Sequence, residues 1–294
     1  MTHAKMIGLL IALALLVVTG CRSLIIAAPA TPGQLLPAPQ PQPASRPVIG
    51  FGLLGDSRSD EYRAADNRGG RYAATTFNWL ELLVQNRGLN FGPWDTWGEP
   101  RRTGYKHNWS RRGATAASMI ESGAHLGLAQ QVAAGDVSRV FIWIGGHEFA
   151  TWNNTYANIY NGALSGAERH ARTQRIVADL TTAVDTLLKA GPVSIVLVTL
   201  IDRGLAPEVA AQFPDTTQQP RVTDAINFVN DGRRAMAAAR PAVAVVDGHA
   251  FALSLSDRID QNGNLPVGGQ SINLFGYGHE PYFGRLKDDD GHAS

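Results

Sequence analysis

Four short, almost unbroken apolar runs, at residues 48–54, 139–144, 193–200 and 243–246, do most to limit what this chain can fold into. A strand with one wet face alternates apolar and polar residues, whereas a run without alternation suits a parallel sheet covered on both faces. Segments with helical spacing lie between the runs. Residues 75–85 bring Phe77, Leu80, Leu83 and Val84 to one face, and residues 167–189 do the same with Ile176, Leu180, Val184 and Leu187. Residues 223–239 form a third, alanine-rich segment. This alternation predicts an α/β fold, a three-layer α/β/α sandwich with a central parallel sheet and right-handed crossovers. Ligands of such sheets bind outside the carboxyl ends of the strands, so the residues expected there carry the functional reading.

The first 47 residues stand outside that pattern. Lys5 precedes an apolar stretch from Met6 to Val18, short for a membrane span and of the length of a signal-peptide core. Val18-Thr19-Gly20-Cys21 resembles a bacterial lipoprotein processing site, which makes residues 1–21 a signal peptide and Cys21 the residue that is lipidated. Cys21 is the only cysteine of 294 residues, so neither a disulfide framework nor a thiolate metal site competes for it. Residues 22–47 hold seven of the sixteen prolines and only two charges, Arg22 and Arg46. Such a segment is expected to be an extended tether. The folded domain is then expected over residues 48–294, outside the cytoplasm and anchored to a membrane through lipid on Cys21. A net charge of +1 argues against nucleic acid as the main partner, because phosphate binding needs a basic surplus.

The first apolar run ends in Gly55-Asp56-Ser57, and the chain closes on Asp289-Asp290-Gly291-His292. A serine hydroxyl is inert at neutral pH until a base takes its proton, and that base needs an orienting acid. Rival constellations are weaker. Gly50, Gly52 and Gly55 match a dinucleotide fingerprint but lie within the apolar run rather than after it. Asp247 and His249 follow the last run and form a second acid and base. Asp288, Asp289, Asp290 and His292 form a possible metal cluster, against which stands the commoner solvated acidic terminus. His107, His125, His170 and His279 have no partner spacing and are expected to be surface or satisfied residues.

Four blocks occur in order: Gly55-Asp56-Ser57; Asn108-Trp109-Ser110-Arg111-Arg112-Gly113-Ala114-Thr115; Ile144-Gly145-Gly146-His147-Glu148; and Asp289-Asp290-Gly291-His292. Together they resemble the conserved blocks of the SGNH (GDSL-type) serine hydrolases, over the whole span from Val48 onward. The resemblance implies a flavodoxin-like sandwich and ester hydrolysis through a Ser57 acyl-enzyme, with His292 as base and Asp289 as its orienting partner. It implies an oxyanion hole formed by the N–H groups of Ser57 and Gly113 and by the residue at position 147. No metal and no organic cofactor are implied. The family carries asparagine and aspartate where this chain has His147 and Glu148. A histidine still donates a hydrogen bond, with a different reach and a pH-dependent charge; the bland alternative is that His147 merely caps a strand end. The family also continues into a helix beyond the catalytic loop, so either the chain given is shortened at its C-terminus, which is the expectation, or the Asp289–His292 pair is mobile.

Residues 89–110 carry Trp94, Trp97, Tyr105 and Trp109 without helical or strand periodicity. They are expected to form a long loop, packed as a lid or binding substrate, since aromatic faces suit sugar rings. The expected substrate is a small ester or an acylated carbohydrate. The competing expectation is a surface lipoprotein that keeps the fold without catalysis and binds glycan through the same aromatic loop.

Overall fold

The computed structural model describes residues 49–61, 77–205, 207–260, 264–267 and 269–273. The segments expected to be a signal peptide and a tether lie outside these residues, as do Asp289, His292 and His279. Among the described residues no helix is long and apolar enough to cross a membrane.

The element order alternates as the sequence does. Strand β1 (Phe51–Gly55) is followed by α1 (Trp79–Arg87), a short pair β2 (Trp94–Trp97) and β3 (Arg102–Tyr105), α2 (Ala116–Glu121), α3 (Ala124–Ala133) and β4 (Arg139–Trp143). Then come α4 (Thr155–Tyr160), α5 (Gly166–Ala190), β5 (Ser194–Val198), α6 (Pro207–Gln212), α7 (Pro220–Ala238), β6 (Val243–Val246), α8 (Gly248–Ser256), β7 (Asn264–Val267) and β8 (Gln270–Asn273). The four apolar runs form one parallel sheet in the order β1-β4-β5-β6, with Leu54 level with Ile142 and Ile142 level with Leu197.

Both faces are covered, which is why the strands lack alternation. On one face Leu54, Val140, Ile142, Ile195 and Leu197 pack against α2, α3, α5 and α7, in a core that also holds Leu128, Leu180, Val184, Leu187 and Val229. On the other, Leu53, Phe51 and Phe141 meet Leu80 and Trp79 of α1, with Trp79 edge-on to Phe141 at 5.7 Å. The expected α/β/α sandwich is therefore present. Gly52 belongs to this packing: a Cβ there would stand 2.5 Å from Leu128 Cδ1, so the glycine lets α3 lie against β1. The glycines that mimic a dinucleotide fingerprint thus lie in or beside the strand and allow close packing, Gly50 against the Asp136 backbone, Gly52 against α3 and Gly55 against Ser59 and Ser110.

Boundaries moved where side chains take over backbone hydrogen bonds. The run at 193–200 yields a strand only to Val198, because Asn230 of α7 accepts from the Leu200 N–H (2.7 Å) and donates to its carbonyl (3.0 Å), closing off the ladder. Helix α1 starts on an Asn78–Glu81 capping box and stops at Gly88 in the left-handed conformation. Helix α5 matches its expected span within a residue at each end, capped by Ser165 and Glu168.

The largest correction is the aromatic region. It is an antiparallel hairpin rather than a loop, with Trp94 opposite Tyr105 and Thr96 opposite Thr103. The hairpin interrupts a segment that runs beside β1 on its outer edge. Phe51 N–H donates to Asn90 O and Leu53 N–H to His107 O, while Trp109 N–H returns to Leu53 O. Asn90–Phe91 and His107–Trp109 therefore act as two halves of one edge strand, joined by a His107 N–H to Phe91 O bond of 2.9 Å.

Candidate active site

At the carboxyl end of β1 the chain turns sharply, and Asp56 makes the turn. Its carbonyl accepts from the N–H groups of Ser59 and Asp60, and its carboxylate accepts from Arg58 N–H at 2.9 Å. This is how an aspartate caps a tight turn. Asp56 is fully buried, so the residue after the strand is fixed and Ser57 is carried, half-buried, at the tip.

His147 arrives from the next strand. After β4, Gly145 (φ +105°) and Gly146 lead into a single 3-10 turn over His147–Phe149. A Cβ on Gly146 would meet Arg58 Nη1 at 2.7 Å, so the glycine leaves room for the end of the arginine side chain between the two strand ends. Nε2 of His147 then lies 3.4 Å from Ser57 Oγ. The ring is held edge-on against Trp152 (centroids 5.2 Å), which has Arg203 over its ring at 4.9 Å, and Asn153 donates to the His147 carbonyl.

The third component is the loop 110–115. Asn108 donates to Ser59 O at 2.8 Å and accepts from Ser110 N–H, and Asp60 accepts from Arg112 N–H at 2.7 Å, so this loop and the Ser57 turn are bolted together. Gly113 has φ +80°, a conformation that suits glycine, and among the described residues no acceptor meets its N–H. Beyond it Thr115 and Ser118 form the capping box of α2. The loop also walls a recess of about 260 Å³ together with Gly55, Pro100, Trp109, Arg111 and Met119.

A cluster of buried charge lies behind these groups. Arg233 of α7 has no exposed surface and donates to Val198 O (2.8 Å) and to Ile144 O, the carbonyls where β5 and β4 end. Glu148 accepts from Ala116 N–H at 2.6 Å, and burial, with Asp56 nearby, pushes its carboxyl up to about 7. Arg233 pulls in the opposite direction.

The four expected aromatic residues divide. Trp97 donates to Gly104 O and takes Arg101 against its face at 5.2 Å, which makes it an internal strut of the hairpin. Trp109 donates to Gln131 and fills the space above Gly127, with its flank on the recess. Trp94 and Tyr105 meet edge-to-face at 5.0 Å, with Trp94 exposed. Of the rival constellations, Asp247 caps α8 and pairs with Arg234 at 2.7 Å, while His249 Nδ1 accepts from Asp202 N–H, so both are engaged structurally. His107 and His125 are not surface residues. Both are buried, and burial lowers both, His107 to about 4.

Sequence reasoning placed Ser57, Gly113 and His147 together, and the fold brings them to one end of the sheet. Asp289, His292 and the acidic cluster at 288–292 fall outside the described residues. Arg233 and Trp152 were missed. Arg233 is one of three arginines in an alanine-rich helix, and only its phase with Ala225, Ile226 and Val229 marks it as internal.

No protein-family model matches the chain, and no curated protein matches it. Solved structures with a similar chain path include an extracellular lipase from Streptomyces rimosus, at 15% identity over 69% of this chain and 81% of that one, with a TM-score of 0.45. TesA matches at 15% identity over 76% and 89% with a TM-score of 0.36. A lipolytic G-D-S-L family protein from Veillonella parvula matches at 18% over 73% and 85%, with a TM-score of 0.36.

Proposed function

We propose that the chain is a serine esterase of SGNH type, hydrolysing small carboxylic esters through a Ser57 acyl-enzyme. The observation that carries this reading is the 3.4 Å approach of His147 Nε2 to Ser57 Oγ at the carboxyl end of β1, with Gly113, whose N–H meets no acceptor among the described residues, in the loop tied to the same turn. In the proposed reaction Ser57 Oγ attacks the ester carbonyl while His292, oriented by Asp289, takes the hydroxyl proton and returns it to the leaving alcohol. The carbonyl oxygen becomes an oxyanion, met by the N–H groups of Ser57 and Gly113 and by the His147 ring. Water then attacks the acyl-enzyme with the same base, releasing the acid and regenerating Ser57. The recess beside Gly113, lined by Trp109, Ala114 and Met119, suits a short acyl group, and Trp94 with Tyr105 suits the sugar of an acylated carbohydrate. Lipid on Cys21 would hold the enzyme at a membrane outside the cytoplasm.

Hydrolysis of p-nitrophenyl acetate by residues 48–294 tests it. Turnover is expected in the native chain and absent in Ser57→Ala. Losing an oxyanion donor costs roughly 100- to 1000-fold, and His147→Ala should show a loss of that order, with His147→Asn recovering part of it. Turnover unchanged in Ser57→Ala refutes the assignment. A second reading, a non-catalytic glycan binder of the same fold, rests on the exposed Trp94; it predicts glycan affinity that Trp94→Ala removes and no reaction with a serine-directed probe.

A further inference from the structure

Glu148 stands where the two halves of the oxyanion site meet. It follows His147 directly in the same 3-10 turn, and its Oε1 reaches across to the N–H of Ala116, three residues after Gly113 and the first residue of α2. No other side-chain hydrogen bond described joins the 113–116 segment to the turn after β4. The second carboxyl oxygen, Oε2, is sealed from solvent and has no hydrogen-bond partner, and the same holds for Oδ2 of Asp56, which has Arg58 Nη1 at 3.5 Å. The charged groups facing Glu148 are Asp56 at the end of β1, with Arg58 beside it, and Arg233 from α7.

Resting on the esterase reading above, we propose that Glu148 is a positioning residue that works in its neutral form: through Ala116 it fixes the Gly113 loop relative to His147, so that one side chain sets the spacing of the oxyanion donors. A neutral carboxyl accepts the Ala116 N–H through its carbonyl oxygen as a carboxylate does. It also removes the repulsion with Asp56 and leaves one buried charge fewer. Ionisation places a second negative charge beside Asp56, which Arg233 offsets only in part, behind a site that must stabilise another. Burial, the largest cause, raises this carboxyl to about 7, so the neutral form predominates below that pH. Glutamine has the shape of the neutral acid, keeps the acceptor and cannot ionise.

The test compares the native chain with Glu148→Gln and Glu148→Ala in three measurements: kcat and KM for p-nitrophenyl acetate from pH 5 to 9, thermal unfolding, and the amide signals of Gly113 and Ala116 by nuclear magnetic resonance over the same range. Glu148→Ala is expected to lower kcat about 10- to 100-fold with KM changed less than about threefold. Glu148→Gln is expected to restore most of that kcat while abolishing a decline in kcat near pH 7. The Ala116 amide should titrate near pH 7 in the native chain and not in Glu148→Gln. An Ala116 signal that does not titrate, or a Glu148→Ala kcat equal to the native one, overturns the proposal. Titration without any turnover in the native chain would retire the esterase reading and leave the tie between the two segments standing.

Discussion

A single guanidinium at the carboxyl ends of β4 and β5 does what no backbone group there can do. Parallel strands diverge where the ladder stops, and the carbonyls of Ile144 and Val198 would be left buried without donors; Arg233 supplies both. Its cost in desolvation shows as a guanidinium lowered to about 10, against which Glu148 and Asp56 act. Removing one member of such a buried network leaves its partners unsatisfied, which typically costs about 3–5 kcal/mol. Arg233→Ala is therefore expected to lose that much in urea unfolding, and Arg233→Lys most of it, because one ammonium cannot span both carbonyls in the same plane. A loss under about 1 kcal/mol for both would mean that the strand ends are held some other way. At this scale the sequence was legible where residue type and position coincide, as for Ser57 after an apolar run. It was silent where the role depends on a partner far along the chain, as for Glu148 with Ala116 or Asn230 with Leu200.

The elements were legible in proportion to their length. Helix α5 has 25 residues of consistent phase and a capping box, and its span was expected almost to the residue. The β2–β3 hairpin has strands of four residues each and no such redundancy. Its signals were present in the alternation of Trp94 and Thr96 against Thr103 and Tyr105 about a Gly98-Glu99-Pro100 turn, but they were masked by the aromatic content. What holds the hairpin down is a buried carboxyl. Glu61 accepts from Tyr105 N–H at 2.9 Å and lies against Gly104, where any Cβ would come within 2.7 Å of the carboxyl. Burial raises Glu61 from 4.5 to about 7, with Arg101 close by. A carboxyl raised on folding contributes stability that is complete below pH 4.5 and is lost as the pH climbs through 7. Glu61→Gln should thus unfold like the native chain near pH 4.5, and at pH 8 should gain on it by up to about 3 kcal/mol. An unchanging difference between the two, measured by urea unfolding at both values, would show that Glu61 does not titrate in this window.

Across the whole molecule the alternation of runs and helices was enough to give the sandwich, the strand direction and the end of the sheet that carries Ser57. Strand order and the split edge strand were not, because both depend on which segments meet rather than on what each segment is. The expected arrangement of a lipid anchor, a proline-rich tether and a folded domain has its own check. Cys21→Ser, expressed as the full chain, should move the protein from the membrane fraction to the soluble extracytoplasmic fraction without altering its rate on a soluble ester. Membrane association that survives the substitution would assign the attachment elsewhere.

The hairpin enters and leaves the edge strand at Phe91 and His107, which are already hydrogen-bonded to each other. That makes the inserted stretch a cassette with a ready-made splice point: it can lengthen, shorten or be exchanged while the strand beside β1 closes behind it. Glu61 and Arg101 are the fastenings that any replacement must either reproduce or drop together. A chain built in this way keeps the hairpin and the Ser57 turn on separate parts of its sequence, and either can diversify while the other stays as it is.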